Sequence, residues 1–271
     1  MSFDSYSKPE ISPPLADQPY VAESAPRQTP TLMEAIAFFA LAAFLLLVIQ
    51  AVGAVVALRL HLFGKVTLVK LAMLPRFTVP MMALSYAVTL LAAALLFRRV
   101  WGQRFLDGIH WNFDQVKRHW KWLPILGVAM GAGIQLASSY FPLPKDLPVD
   151  AFFRNAADAW MVALFGVFFA PIAEEIAFRG FLFPGLRRWT GSLLAAILTS
   201  VPFVMLHAQQ VGHAWGPLAM VFIVSTVLAG IRDRTDSVAA SALVHACYNF
   251  SIFAVIFYAS GGFMHLDRLK D

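Results

Sequence analysis

The chain has 271 residues, of which 59% are hydrophobic and only 14% charged, whereas a soluble domain carries about a quarter charged residues. That balance, with a mean hydropathy of +0.67, excludes an ordinary soluble domain and indicates an integral membrane protein. The net charge of +5 is spread over short loops, a pattern that sets membrane orientation and points away from a nucleic-acid partner. The single cysteine, Cys247, excludes an internal disulfide and reads as a small buried side chain.

Residues 1–31 are polar and hold Pro9, Pro13, Pro14, Pro19, Pro26 and Pro30, too little apolar area to fold, so a disordered tail is expected. The first expected span is 32–58, longer than the roughly 20 residues a bilayer requires. Residues 59–77 mix Arg59, Lys65, Lys70 and Arg76 with apolar groups, which suits an interfacial segment; an eighth membrane helix results if it inserts. The second span is 78–97. Residues 98–121 are basic and aromatic, a composition of the headgroup level. The third span is 122–140, followed by a Pro-rich connector over 141–159 that ends in a short amphipathic piece. The fourth, 160–183, is closed by Pro184-Gly185 and the pair Arg187-Arg188. The fifth runs from 192 to about 211 and the sixth over 216–231. The loop Arg-Asp-Arg-Thr-Asp-Ser follows, and the seventh span is 237–258.

The fold expected is all-α: a polytopic membrane bundle of seven or eight transmembrane helices enclosing a polar cavity. It divides into a tail (1–31), amino-terminal helices and interfacial segments (32–159), helices carrying the chemistry (160–260) and a polar end (261–271). With the amino terminus inside, inner segments hold twelve Lys and Arg and outer segments eight. The expected location is the cell membrane, multi-pass, with a cytoplasmic amino terminus.

Five ionisable residues fall well within these spans: Glu174, Glu175 and Arg179 in the fourth, His207 in the fifth and His245 in the seventh. Ionisable groups at bilayer depth are costly and mark function. Positions four apart share a helix face, so Glu175 can pair with Arg179, and His245 shares a face with Asn249. Glu174 lies about 100° round the helix from Glu175 and is free for another task. Pro171, one turn earlier, would loosen the helix and free carbonyls for the site, or be one more tolerated membrane proline. His213 and His265 read as solvated. Arg187-Arg188 reads as a topology anchor or an attractor for a substrate's terminal carboxylate.

Three readings follow. A buried polar network tying helices together is usually made of Ser, Thr or Asn rather than charged groups. A small transporter or proton relay also uses Glu and His, but there is no internal repeat. A hydrolase would use Glu174 as general base toward water, His207 sharing that water or binding a metal, and His245 with Asn249 donating to an oxyanion. No nucleophile-elbow serine and no His-Glu-x-x-His occurs, so water activation is favoured over covalent catalysis, and a standard zinc helix is excluded.

Glu174-Glu175-x-x-x-Arg179, Phe203-x-x-x-His207 and His245-x-x-x-Asn249, in that order, resemble the three-motif signature of the CPBP family. That family comprises intramembrane endopeptidases including type II CAAX prenyl proteases, bacteriocin-processing and immunity proteins and the Abi group. The resemblance covers roughly residues 160–258. It implies an eight-helix or similar membrane fold with a conical cavity, Glu174 activating water with His207, His245 and Asn249 stabilising the oxyanion, and Glu175, Arg179 and Phe203 supporting them. A divalent metal such as zinc, if used, would fall to Glu174, His207 and His245. The expected partners are a membrane-tethered or lipidated peptide substrate and the bilayer, and the expected activity is its hydrolysis. A catalytically silent immunity or assembly protein is the alternative. One mismatch stands: with these boundaries Glu174 and His245 lie about nine residues from the inner edge and His207 about sixteen.

Overall fold

The computed structural model describes residues 29–138, 140 and 148–266. Residues 1–28 of the tail expected over 1–31, residue 139, the first part of the connector at 141–147 and the last residues, 267–271, lie outside the described residues. Among the described residues eleven α-helices follow in order: α1 Leu32–Arg59, α2 Leu68–Ala72, α3 Pro75–Trp101, α4 Phe105–Gly108, α5 Phe113–Arg118, α6 Trp122–Ser138, α7 Ala156–Leu164, α8 Ala170–Glu175, α9 Phe183–His207, α10 Trp215–Thr235 and α11 Val238–Ala259. Two π-helical stretches, Phe165–Phe169 and Ile176–Leu182, join α7, α8 and α9 into one continuous rod.

Among the described residues, five helical stretches are long and apolar enough to cross a membrane, and α6 is a shorter apolar helix. One of the five, Ala156–His207, spans 52 residues and is broken at Gly191, whose φ of 75° and ψ of 173° lie in a region open essentially to glycine. Among the described residues there are therefore seven apolar helical segments, those of a multi-pass, all-α membrane protein. Of the segment 59–77 expected at the interface, Arg59 ends α1 and residues 75–77 open α3; between them no spanning helix forms, α2 having only five residues.

Two of the boundaries that differ from those expected bear on the site. Pro184-Gly185 does not end the fourth span, because proline is tolerated in a first helical turn and Pro184 sits at the start of α9. The helix continues to Gly191. The segment read as the loop 232–237 is mostly helix: α10 runs through Thr235 and ends at Asp236, whose φ of 47° is left-handed. Ser237 then caps α11 by accepting from the Ala240 amide.

One end of the bundle is knitted from four separate chain segments. Thr31 and Glu34 form a capping box at the start of α1, and Trp101 at the end of α3 donates to Glu34 at 2.7 Å. Arg188 donates to the carbonyl and hydroxyl of Thr29. His110 meets Asp236 at 2.8 Å, and Ser237 donates to the Asn112 carbonyl at 2.7 Å. The segments expected on the inner face thus lie together at one end.

α11 is placed by α6. A Cβ on Gly127 would come within 2.5 Å of the Val244 carbonyl, and one on Gly131 within 1.8 Å of the Ser251 hydroxyl. These two glycines, four apart, let the two backbones approach as small residues do between membrane helices. The half-buried Cys247 sits in the same contact, 2.6 Å from the Gly127 Cβ position.

Candidate active site

The motif carboxylates sit on the short α8, between the two π-helical stretches. In a π turn each N–H reaches the carbonyl five residues back. The Ala170 N–H bonds the Phe165 carbonyl in this way. The next residue, Pro171, has no N–H to offer, so the Gly166 carbonyl lacks that partner within its own helix. The Asn249 amide supplies one, Nδ2 donating to the Gly166 oxygen at 2.6 Å. The same arrangement recurs one motif later. The Phe183 N–H bonds the Phe178 carbonyl, Pro184 follows, and the Arg179 carbonyl accepts from Arg232 Nε at 3.3 Å. Of the two accounts of Pro171 open from sequence, the freed carbonyl is the one seen.

Glu175 and Arg179 are both fully buried, and Arg179 Nη1 donates to Glu175 Oε1 at 2.9 Å. Pairing at this spacing follows from the helix; leaving either group alone in an apolar interior would be prohibitive. The other terminal nitrogen of Arg179 donates to Ser225 of α10, to its carbonyl at 2.6 Å and its hydroxyl at 2.8 Å. Its guanidinium carbon lies 4.9 Å from the centre of the Phe203 ring, within the range of a cation–π contact.

His245 stands between the two carboxylates. Its Nδ1 is 3.0 Å from Glu175 Oε1, and its Nε2 is 3.8 Å from Glu174 Oε2. The first distance is a hydrogen bond and fixes Nδ1 as the donor; the second is longer than a direct hydrogen bond. Sequence reasoning missed the first contact, which crosses from α11 to α8. Glu174 keeps 18% of its side chain exposed, against none for Glu175. The two adjacent carboxylates therefore occupy different environments, one locked into a buried network and one open to a reactant.

Phe203 is the hub on α9. It packs against Phe178 at 5.0 Å, stacks on His207 at 4.6 Å and lies 6.0 Å from His245. His207 Nδ1 lies 2.8 Å from the Phe203 carbonyl. A carbonyl only accepts, so Nδ1 carries the hydrogen and Nε2 of the neutral ring is left as an acceptor. The structure thus brings Glu174, Glu175, Arg179 and His245 into direct contact through polar groups. His207 joins through Phe203, and Asn249 through the Gly166 carbonyl. Among the described residues no ion pair joins His207 to Glu174.

The depth mismatch disappears with the corrected boundary. Glu174 lies 17 residues before Gly191 and His207 16 after it. A hairpin turning at Gly191 brings both to the same level, and the backbone of Pro202 stays helical, Gly191 being the one non-helical residue of that stretch.

Among the described residues, no group of three or more His, Cys, Asp or Glu side chains converges to hold a metal ion. In His207 and His245 Nδ1 is held by an oxygen and Nε2 is left free, as in metal-binding imidazoles, but with Glu174 they do not converge on one point in this arrangement. Ser225, Arg232 and Gly166 were not found from sequence. Ser225 and Gly166 carry no signal beyond being polar or small in an apolar run, and Arg232 was hidden because its charged neighbours read as a loop. The glycine pair 127 and 131 did carry one, its spacing of four. His213 and His265 are exposed, as expected.

Fold and site define a helical membrane protein with a buried Glu-Arg-His network at the meeting of α8, α9, α10 and α11. A family model for type II CAAX prenyl endopeptidase Rce1-like proteins matches residues 156–251. That stretch runs from the start of α7 into α11 and contains all three motifs. Over that stretch the chain is similar to the Rce1-like type II CAAX prenyl endopeptidases. No curated protein and no solved structure matches the chain.

Proposed function

We propose that the protein is an intramembrane endopeptidase that hydrolyses a peptide bond in a membrane-tethered or lipidated substrate, using water activated by Glu174. The observation that carries this reading is the division of labour between the adjacent carboxylates. Glu175 is committed to Arg179 and His245, while Glu174 is partly open and 3.8 Å from the His245 ring. In this mechanism Glu174 takes a proton from water as the oxygen attacks the scissile carbonyl, and later returns it to the leaving amine. His207 offers its free Nε2 to the same water.

Asn249 and His245 serve the developing oxyanion. One hydrogen of the Asn249 amide is spent on the Gly166 carbonyl, which fixes the plane of the amide and leaves the other to donate. His245, held at Nδ1 by Glu175, presents Nε2 on the side of Glu174. Donors fixed in advance at the position of the oxyanion are commonly the largest contributors to such catalysis. Phe203 spaces the two histidines and covers the Arg179 guanidinium. The membrane concerned is the cell membrane, with the amino terminus on the cytoplasmic side.

The test is hydrolysis of a membrane-anchored, lipidated reporter peptide by the purified chain in detergent or proteoliposomes, comparing the native protein with Glu174→Gln and His207→Ala. The reading expects cleavage by the native protein and losses of about a hundredfold or more in each variant. Full activity in both variants would sink the mechanism.

A further inference from the structure

A cavity of about 300 Å³ opens at the knitted end of the bundle, its wall including Arg187, Arg188, Arg232, His110 and Asp236. We propose that it is a binding site for the phosphate of an anionic phospholipid headgroup, and that Arg232 connects its occupant to the main chain of Arg179. The proposal stands apart from the peptidase reading, because its readout is binding.

The charges in the wall do not cancel. Arg232 is paired with Asp236 at 2.7 Å and Arg187 with Asp233 at 3.0 Å. Arg188 donates to the neutral oxygens of Thr29; the Glu34 carboxylate acts on it only at longer range, so among the described residues a guanidinium not held in a close ion pair faces the cavity. His110 supplies a second unfilled group. Its Nδ1 is on Asp236, yet its Nε2 is buried without a hydrogen-bond partner. The residue is held at a φ of 58°, a left-handed backbone seldom adopted by a residue with a side chain. Such an outlier persists only where surrounding contacts impose it, and here the ring is fixed at the cavity wall. Guanidinium forks and imidazole N–H groups are donors suited to phosphate oxygens.

A phospholipid fits better than a soluble anion because of the setting. This end carries Arg98, Arg99, Arg187, Arg188 and Arg234 at helix ends and the 81% exposed Trp189, a headgroup-level composition that attracts an anionic leaflet. Phe183 and Pro184 give the cavity an apolar side for the glycerol backbone. On its far side Arg232 Nε reaches the Arg179 carbonyl at 3.3 Å. Whatever occupies the cavity is therefore one side chain away from the Glu175–Arg179 pair.

The experiment uses the full chain in phosphatidylcholine nanodiscs with increasing phosphatidylglycerol, read as the thermal unfolding midpoint, beside a titration of inorganic phosphate in detergent at constant ionic strength. A ligand that binds the folded state raises the midpoint in a saturable way. The native chain is expected to show this with phosphatidylglycerol. Arg188→Gln and His110→Gln should each weaken it about tenfold or more, since a hydrogen bond to a charged group contributes more than a neutral one. Lys121→Gln, the same charge change outside the cavity, should leave it unaltered. An equal loss in Lys121→Gln would reduce the effect to surface charge and overturn the site. An undiminished response in folded Arg188→Gln and His110→Gln would overturn it too. Saturable stabilisation by inorganic phosphate alone, with none by phosphatidylglycerol, would overturn the lipid as its occupant.

Discussion

The side-chain amide of Asn249 and the main-chain carbonyl of Gly166 are joined at 2.6 Å, from α11 to the π-helical stretch before α8. The bond exists because of a third residue. Pro171 lacks the N–H that a π ladder would direct at that carbonyl, so a proline in one helix orients an amide on another.

If so, restoring the N–H should loosen Asn249. Pro171→Ala should leave the protein folded, or somewhat more stable, since an interior helix proline costs up to about 3 kcal/mol. Hydrolysis of the reporter peptide should nevertheless fall. Asn249→Ala should cost about a hundredfold or more, the range seen when an oxyanion donor is removed. In the double variant the losses should not add, because Pro171 acts through Asn249. Additive losses in that cycle would separate the two residues.

The neighbouring carboxylates should respond in opposite ways. Glu175→Gln leaves the buried Arg179 and the His245 ring without their anion, and breaking a buried pair costs about 3–5 kcal/mol. Thermal unfolding in detergent should register this as a large drop in midpoint. Glu174→Gln, partly exposed and, among the described residues, in no ion pair closer than the 3.8 Å contact with His245, should melt close to the native protein while losing cleavage. Equal melting of the two variants would contradict the assigned roles.

Much of this was legible in the sequence for a simple reason. Charges are so costly in a membrane that Glu174, Glu175, Arg179, His207 and His245 stand out from any apolar background, and helical spacing pairs Glu175 with Arg179 unaided. The contact of His245 with Glu175 was not legible, because it depends on how α11 sits against α8. The end of the fourth span was misplaced because Pro-Gly stops a helix in most settings. Pro184 instead follows a π turn, where its missing N–H leaves a carbonyl that Arg232 fills. The run Arg-Asp-Arg-Thr-Asp looked like a loop because its charges mark water. In the structure Arg232 is only 3% exposed, a buried member of the network at the end of α10.

Packing between α6 and α11 should set the position of His245 and Asn249. Gly131→Leu would drive a side chain into Ser251, whose hydroxyl already lies 1.8 Å from where a Cβ would stand. Overpacking of this kind costs about 1–3 kcal/mol, and α11 must move to relieve it. The variant should lose both stability and cleavage, whereas Gly133→Ala, with open space around it, should lose neither. Unchanged cleavage in folded Gly131→Leu would show that the site does not depend on this contact.

Asp236 gives a prediction in pH. The hydrogen bond from His110, with that from Arg232, holds its carboxyl well below the usual aspartate range despite partial burial. A carboxyl lowered on folding stabilises the folded state fully above its unfolded value, about 3.9, and loses that contribution as pH falls toward the folded value. The latch from His110 to the start of α11 should therefore weaken below about pH 4. Hydrogen exchange at the Val238 amide, which bonds the His110 carbonyl at 3.0 Å, should quicken there relative to amides deep in α11. Asp236→Asn should exchange quickly at every pH and lose the dependence, because it has no proton to take up. A native-like, pH-dependent profile in that variant would assign the titration to another group.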